Sequence, residues 1–111
     1  MKREIVAAVH FLSRLIRKLE KQKVEEFAKR LTATLQEKFR GHWYPDNPIK
    51  GQAYRCIRVN RPQWEDPELR WACEESRMLF CDLGLPWVHT MWVDPAEVRC
   101  RYGDENDAFM V

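Results

Sequence analysis

Two apolar stripes at helical spacing, placed end to end near the N-terminus, most restrict what this chain can fold into. Ile5, Val9, Leu12, Ile16 and Leu19 recur three or four residues apart, while Arg3, Arg14, Arg17 and Lys18 fall mostly off that line. Such spacing puts the apolar set on one face of a helix over residues 3–19. Val24, Phe27, Leu31, Leu35 and Phe39 repeat the pattern, predicting a second helix over 23–40 that Gly41 closes. The connector Glu20-Lys21-Gln22 is short enough to make the helices antiparallel neighbours. Neither stripe can be fully buried by the other, so a further layer must cover both.

The rest of the chain supplies that layer as strands. Tyr54–Asn60 reads as a strand with Ile57 and Val59 on one face and Tyr54, Cys56 and Arg58 on the other. Thr90–Asp94 and Glu97–Tyr102 are two more, and Ala108–Val111 returns as an edge strand after the turn at Gly103–Asp107. Asp66-Pro67 opens a third helix, with Asp as the cap and Pro at the first helical position, running to about Arg77. Met78–Leu85 reads as a short helical turn, and Gly41–Gln52, punctuated by Gly and Pro, as a loop or irregular helix. The expected fold is α+β: an N-terminal antiparallel helical hairpin packed on a small, mostly antiparallel sheet, with additional short helices. With 111 residues this is one domain over 1–111.

Chemistry is harder to find than fold. There is no GxSxG, no phosphate-cradling glycine loop and no HExxH. His10, His42 and His89 lack a defined catalytic partner, His10 between helix stripes and the other two in expected loops. Cys56, Cys73, Cys81 and Cys100 lie far apart without a CxxC pair, so reduced and mostly buried thiols are expected, with no metal site. Neither an enzyme nor a cofactor is expected. No apolar run is long enough to span a membrane. The basic, apolar start is broken by Arg14, Arg17 and Lys18, which argues against a signal peptide and for an intracellular chain.

Charge is divided along the chain. Through Arg61 there are 15 Lys and Arg against 6 Asp and Glu, and after it 4 against 11. A basic helical hairpin leaves a direct RNA-binding reading open, resting on Lys18, Lys21 and Lys23.

The alternation in Met91-Trp92-Val93-Asp94 points elsewhere. If Met91 and Val93 face the core, Trp92 and Asp94 share the opposite face. A Trp beside an unpaired carboxylate belongs near water, and an exposed Trp with a polar neighbour has the composition of an interface anchor. The alternative is that Trp92 packs under the Gly41–Gln52 loop, which carries Trp43 and Tyr44. Trp43 is expected in the core, Trp64 lies in a polar loop, and Trp71 fits either place.

Two long segments carry a resemblance. Residues 41–60, GHWYPDNPIKGQAYRCIRVN, resemble the first signature box of the BTG/TOB antiproliferative family. Residues 83–103, LGLPWVHTMWVDPAEVRCRYG, resemble the second, with the family's Asp-Pro helix start between them at Asp66-Pro67. The RCRYG and DAFMV ending, with DLGLP before the second box, is similar to the branch containing BTG-three and BTG-four. The resemblance implies a non-catalytic adaptor that binds the DEDD-type catalytic subunit of the CNOT deadenylase complex and promotes shortening of mRNA poly(A) tails. It implies restraint of cell proliferation, a cytoplasmic and nuclear location, and partner contacts at Tyr54, Asp66, Trp92 and Asp94. A monomer is expected. Departures from the family include Pro86-Trp87-Val88-His89-Thr90, where relatives are usually polar and charged, making Trp87 and Val88 a candidate accessory surface. The turn between the first two helices is shorter than in close relatives. No third-box extension is present, so poly(A)-binding protein is not an expected partner, and relatives of this branch continue beyond the position of Val111.

Overall fold

The computed structural model describes residues 1–60, 64–85, 89–103 and 105–111; Trp87 and Val88 lie outside them. The chain runs α1 (Lys2–Arg14), α2 (Lys21–Phe39), a 3-10 turn (Gln52–Arg55), β1 (Cys56–Val59), α3 (Pro67–Glu75), a second 3-10 turn (Phe80–Leu83), β2 (His89–Asp94), β3 (Glu97–Tyr102) and β4 (Phe109–Met110). The four strands form one antiparallel sheet in the order β1-β2-β3-β4. The α+β expectation holds, with the helical hairpin on one face of the sheet.

Both helical stripes are core. Ile5, Val9, Leu12 and Ile16 from the first stripe and Phe27, Leu31, Leu35 and Phe39 from the second are buried. They pack with Ile57, Met91, Val93, Val98 and Cys100 from the sheet and with Leu69, Ala72 and Cys73 from α3. At roughly 1.5–3 kcal/mol for each large apolar side chain taken from water, this cluster dominates the stability.

The first helix stops earlier than its stripe. The amides of Leu15 and Ile16 bond the carbonyls of Leu12 and Ser13, three residues back, and this tighter turn ends the α-helix at Arg14. Ile16 stays buried all the same. The third helix begins as read. Asp66 caps it, accepting from the amides of Glu68 and Leu69, and Pro67 occupies its first turn.

Two strand expectations need correction. Tyr54 is not in β1 but in the 3-10 turn before it, which shortens the strand to Cys56–Val59. His89 is not in a loop: it opens β2 and is fully buried. Its Nε2 lies 3.2 Å from the Cys100 sulfur, and burial lowers its pKa to about 4, so the ring is neutral at physiological pH. Cys56, Cys73 and Cys100 are buried free thiols, whereas Cys81 is exposed. Burial pushes the Cys73 and Cys100 thiols up to about 12. Among the described residues no helix is long and apolar enough to cross a membrane.

Candidate functional site

Trp92 sits where the alternation put it, on the sheet face turned away from the helices. Its neighbours Met91 and Val93 are buried while Trp92 is only half-buried. Across the ladder it pairs with Cys56 of β1 and Arg99 of β3. The guanidinium carbons of Arg99 and Arg101 lie 5.1 Å and 5.5 Å from its ring centroid. Two cations against one indole hold its orientation, each such contact worth roughly 0.5–1 kcal/mol where solvent is near.

Asp94 shares that face by alternation but not its exposure. It is 4% exposed, which overturns the expectation of a carboxylate displayed beside Trp92. The reason is Arg55, a fully buried guanidinium from the 3-10 turn. Its Nη2 donates to Asp94 Oδ1 at 3.0 Å and to the Pro48 carbonyl at 2.6 Å. Its Nη1 donates to the carbonyls of His42 and Lys50, and its Nε to the carbonyl of Val93. Gln52 Nε2 donates to the other Asp94 oxygen at 2.7 Å. A charge of this kind is tolerable in an interior only when paired and saturated with hydrogen bonds, and here both conditions are met.

This Arg55–Asp94 pair organises the Gly41–Gln52 segment, whose carbonyls converge on one side chain. Gly51 is required there. It has φ +77°, and a Cβ would come within 3.0 Å of the His42 carbonyl and 3.1 Å of Arg55 Nη1. Trp43 lies under the same group, stacked on Phe39 and with Arg55 5.4 Å from its ring. Trp43 therefore covers Arg55, and Trp92 is held by arginines of β3.

Tyr54, one residue before Arg55, points outward and is 56% exposed. Its ring stacks on His42 with centroids 4.1 Å apart and planes 15° apart. Two residues on, Cys56 is the cross-strand partner of Trp92, so the turn that carries Tyr54 leads directly into the strand beside Trp92. An exposed Tyr thus immediately precedes Arg55, and a half-buried Trp lies two residues before Asp94, the two members of the buried ion pair.

Asp66 departs from the expected surface role in the same way as Asp94. It is 2% exposed, with Oδ1 accepting from the amides of Glu68 and Leu69 and Oδ2 from the amide of Arg58. It ties the start of α3 to β1. Burial pushes its carboxyl up to about 6 against the pull of those amides. Trp64 and Trp71 are exposed. Of the basic hairpin residues, Lys21 pairs with Glu25 and Lys23 donates to the Arg77 carbonyl. Sequence reasoning missed Arg55 altogether. Its only signal was an arginine next to the strand, which on composition alone reads as solvent-facing.

A model of the BTG family matches residues 1–111, the whole chain. The chain belongs to the BTG family. The human protein BTG3 is 59% identical over 114 residues, covering 100% of this chain and 45% of that protein. The human protein BTG4 is 51% identical, covering 100% of this chain and 51% of that protein. These are the two relatives that define the expected branch, and this BTG chain spans about half the length of each. Among solved structures, a BTG/Tob domain of C. elegans FOG-3 superposes with a TM-score of 0.84, covering 99% of this chain and 80% of that one. At 20% identity that likeness shows the fold alone.

Proposed function

We propose that this BTG-family chain is a non-enzymatic antiproliferative adaptor. It docks the DEDD-type catalytic subunit of the CNOT deadenylase and promotes shortening of poly(A) tails. The observation that carries the reading is the presence of an exposed Tyr54 and of a half-buried Trp92 held against Arg99 and Arg101 on an outward sheet face. Large, pre-oriented aromatics at the surface give much contact area for little lost side-chain freedom, which is the make-up of an interface hot spot.

In this proposal the four family contact positions divide into two roles. Tyr54 and Trp92 touch the partner. Asp94 and Asp66 are positioning residues: the first fixes Arg55 and through it the turn that presents Tyr54, and the second fixes the junction of β1 with α3. The division follows from burial, since a carboxylate with its oxygens already occupied has little left to offer a partner's cation.

The test is a poly(A)-shortening assay with the purified catalytic subunit and the purified chain. The chain alone should leave the tail intact, and with the subunit it should change the rate of shortening. Trp92→Ala and Tyr54→Ala should each abolish that change. Shortening by the chain alone would make it an enzyme, and an equal effect of all variants would remove the site from the proposal.

A further inference from the structure

We propose that the outer groove between α1 and α2 docks an acidic amphipathic helix of a second protein. The groove lies on the helical side of the sheet, away from Trp92, and the proposal does not depend on the deadenylase reading.

The hairpin carries more apolar residues than its core stripe uses. Ile5, Ala8, Val9 and Leu12 of α1 and Phe27, Leu31, Leu35 and Phe39 of α2 are buried. Val6 falls outside that set and is 52% exposed, while Val24 and Ala28 are half-buried. Val6 and Val9 from one helix and Val24 and Ala28 from the other line a groove of about 430 Å³. Its polar lining is His10, Ser13, Glu25, Lys29 and Thr32. The Thr32 hydroxyl is already spent, donating to the Ala28 carbonyl at 2.7 Å.

The shape suits a helix. Two helices side by side leave a straight channel, and a third fills it by laying a ridge of its own side chains along it. Valine, alanine, serine and threonine are small enough to let that third axis reach the roughly 8–10 Å separation of packed helices. From Val6 to Ser13 the channel runs about 10 Å, at a rise of roughly 1.5 Å per residue. That length matches apolar side chains at i, i+3 or i+4, and i+7 of an incoming helix.

The charge of the rims selects among occupants. Arg3, His10 and Arg14 recur at intervals of seven and four, which sets them in one line along α1 beside Val6. Lys21, Glu25 and Lys29 recur at intervals of four along α2, with Glu25 and Lys29 lining the groove itself. Glu25 faces Lys21 at 3.9 Å. Arg3, Arg14 and Lys29 are exposed and have no ion pair among the described residues. A helix with Asp or Glu on both flanks of its apolar stripe meets these cations, and a basic one is repelled. A second copy seated groove to groove about a two-fold axis would set the same cations against each other. RNA would meet the cations but find aliphatic side chains between them, with no ring on which a base could stack.

Fluorescence anisotropy on the full chain tests the proposal. The probe is a labelled peptide of about 18 residues, long enough to hold a helix, with leucine at every third or fourth position and glutamate on both sides of that stripe. Binding at roughly tens of micromolar or tighter is expected at low salt, and ~10-fold or more weaker for the same peptide with lysine at each glutamate. Ala28→Phe fills the groove and should abolish binding while the melting midpoint stays near that of the wild type. Arg14→Glu with Lys29→Glu, both at the surface, should reverse the preference between the two peptides. Equal binding of the two peptides by the wild type, or no binding of either, would overturn the inference. So would an oligoadenylate bound with the same dependence on Arg14 and Lys29, or a dimer in sedimentation velocity that Ala28→Phe dissolves.

Discussion

Replacing Asp94 with alanine should cost the fold far more than losing a surface carboxylate would. The side chain is 4% exposed and accepts from Arg55 at 3.0 Å and from Gln52 at 2.7 Å. Removing one partner of a buried ion pair typically destabilises by about 3–5 kcal/mol, because the remaining charge is left uncompensated. Arg55 keeps four carbonyl acceptors, those of His42, Pro48, Lys50 and Val93, which places the loss near the lower bound, about 3 kcal/mol. For a domain of this size that lowers the melting midpoint by more than ~10 °C. An exposed contact carboxylate would lose less than ~0.5 kcal/mol on truncation. Asp94→Asn keeps an oxygen for Arg55 but loses the charge, and should fall between wild type and Asp94→Ala. The assay is chemical denaturation of the three proteins followed by far-UV circular dichroism. A wild-type midpoint in Asp94→Ala would deny the buried pair its structural role and return Asp94 to the partner surface.

Three further outcomes follow from the same geometry. Asp66→Ala should cost about 1–2 kcal/mol, chiefly through the lost helix cap, and the Arg58 amide it also serves puts the expectation at the upper end in a urea titration; no change would deny it the capping role. Stability against pH should show two opposed contributions. His89, lowered from 6.5 to about 4, contributes stability present above pH 6.5 and lost as pH falls toward 4; Asp66, raised from 3.8 to about 6, contributes stability present below pH 3.8 and lost as pH rises through 6. Each amounts to roughly 3 kcal/mol at full extent, so His89→Gln should become relatively more stable, and Asp66→Asn less, as urea midpoints are followed from pH 7 to 4; parallel profiles would contradict both assignments. Arg99→Ala with Arg101→Ala should release the Trp92 ring and weaken docking by ~3–30-fold in a titration against the deadenylase subunit, and undiminished affinity would show that the ring needs no such clamp.

How much of this was legible in the sequence depends on how local each interaction is. The helical stripes, the Asp66-Pro67 start and the side that Trp92 faces are set by periodicity or by adjacent residues, and all three were readable. Even there the end of α1 was misjudged, because Ile16 stays apolar and buried after the α-helix has given way to a tighter turn. The burial of Asp94 was not readable. Its partner Arg55 is 39 positions away, brought beside it by the pairing of β1 with β2 and enclosed by carbonyls of the Gly41–Gln52 segment. Alternation fixes the side of a sheet a residue faces, but not whether another segment covers it. For the same reason His89 read as a loop residue: its burial depends on β3 supplying Cys100 and Tyr102 beside it. Tyr54 kept its expected exposure through a different element, a 3-10 turn in which strand alternation has no meaning.

The most direct measurement of the central claim is a calorimetric titration of the purified chain against the purified deadenylase catalytic subunit, with Trp92→Ala and Tyr54→Ala run in parallel. Micromolar or tighter binding is expected of the wild type. Each variant should lose roughly thirtyfold or more, the ~2 kcal/mol of a truncated aromatic anchor, with a melting midpoint close to wild type. No heat from a folded wild-type chain, or wild-type affinity in Trp92→Ala, would contradict it.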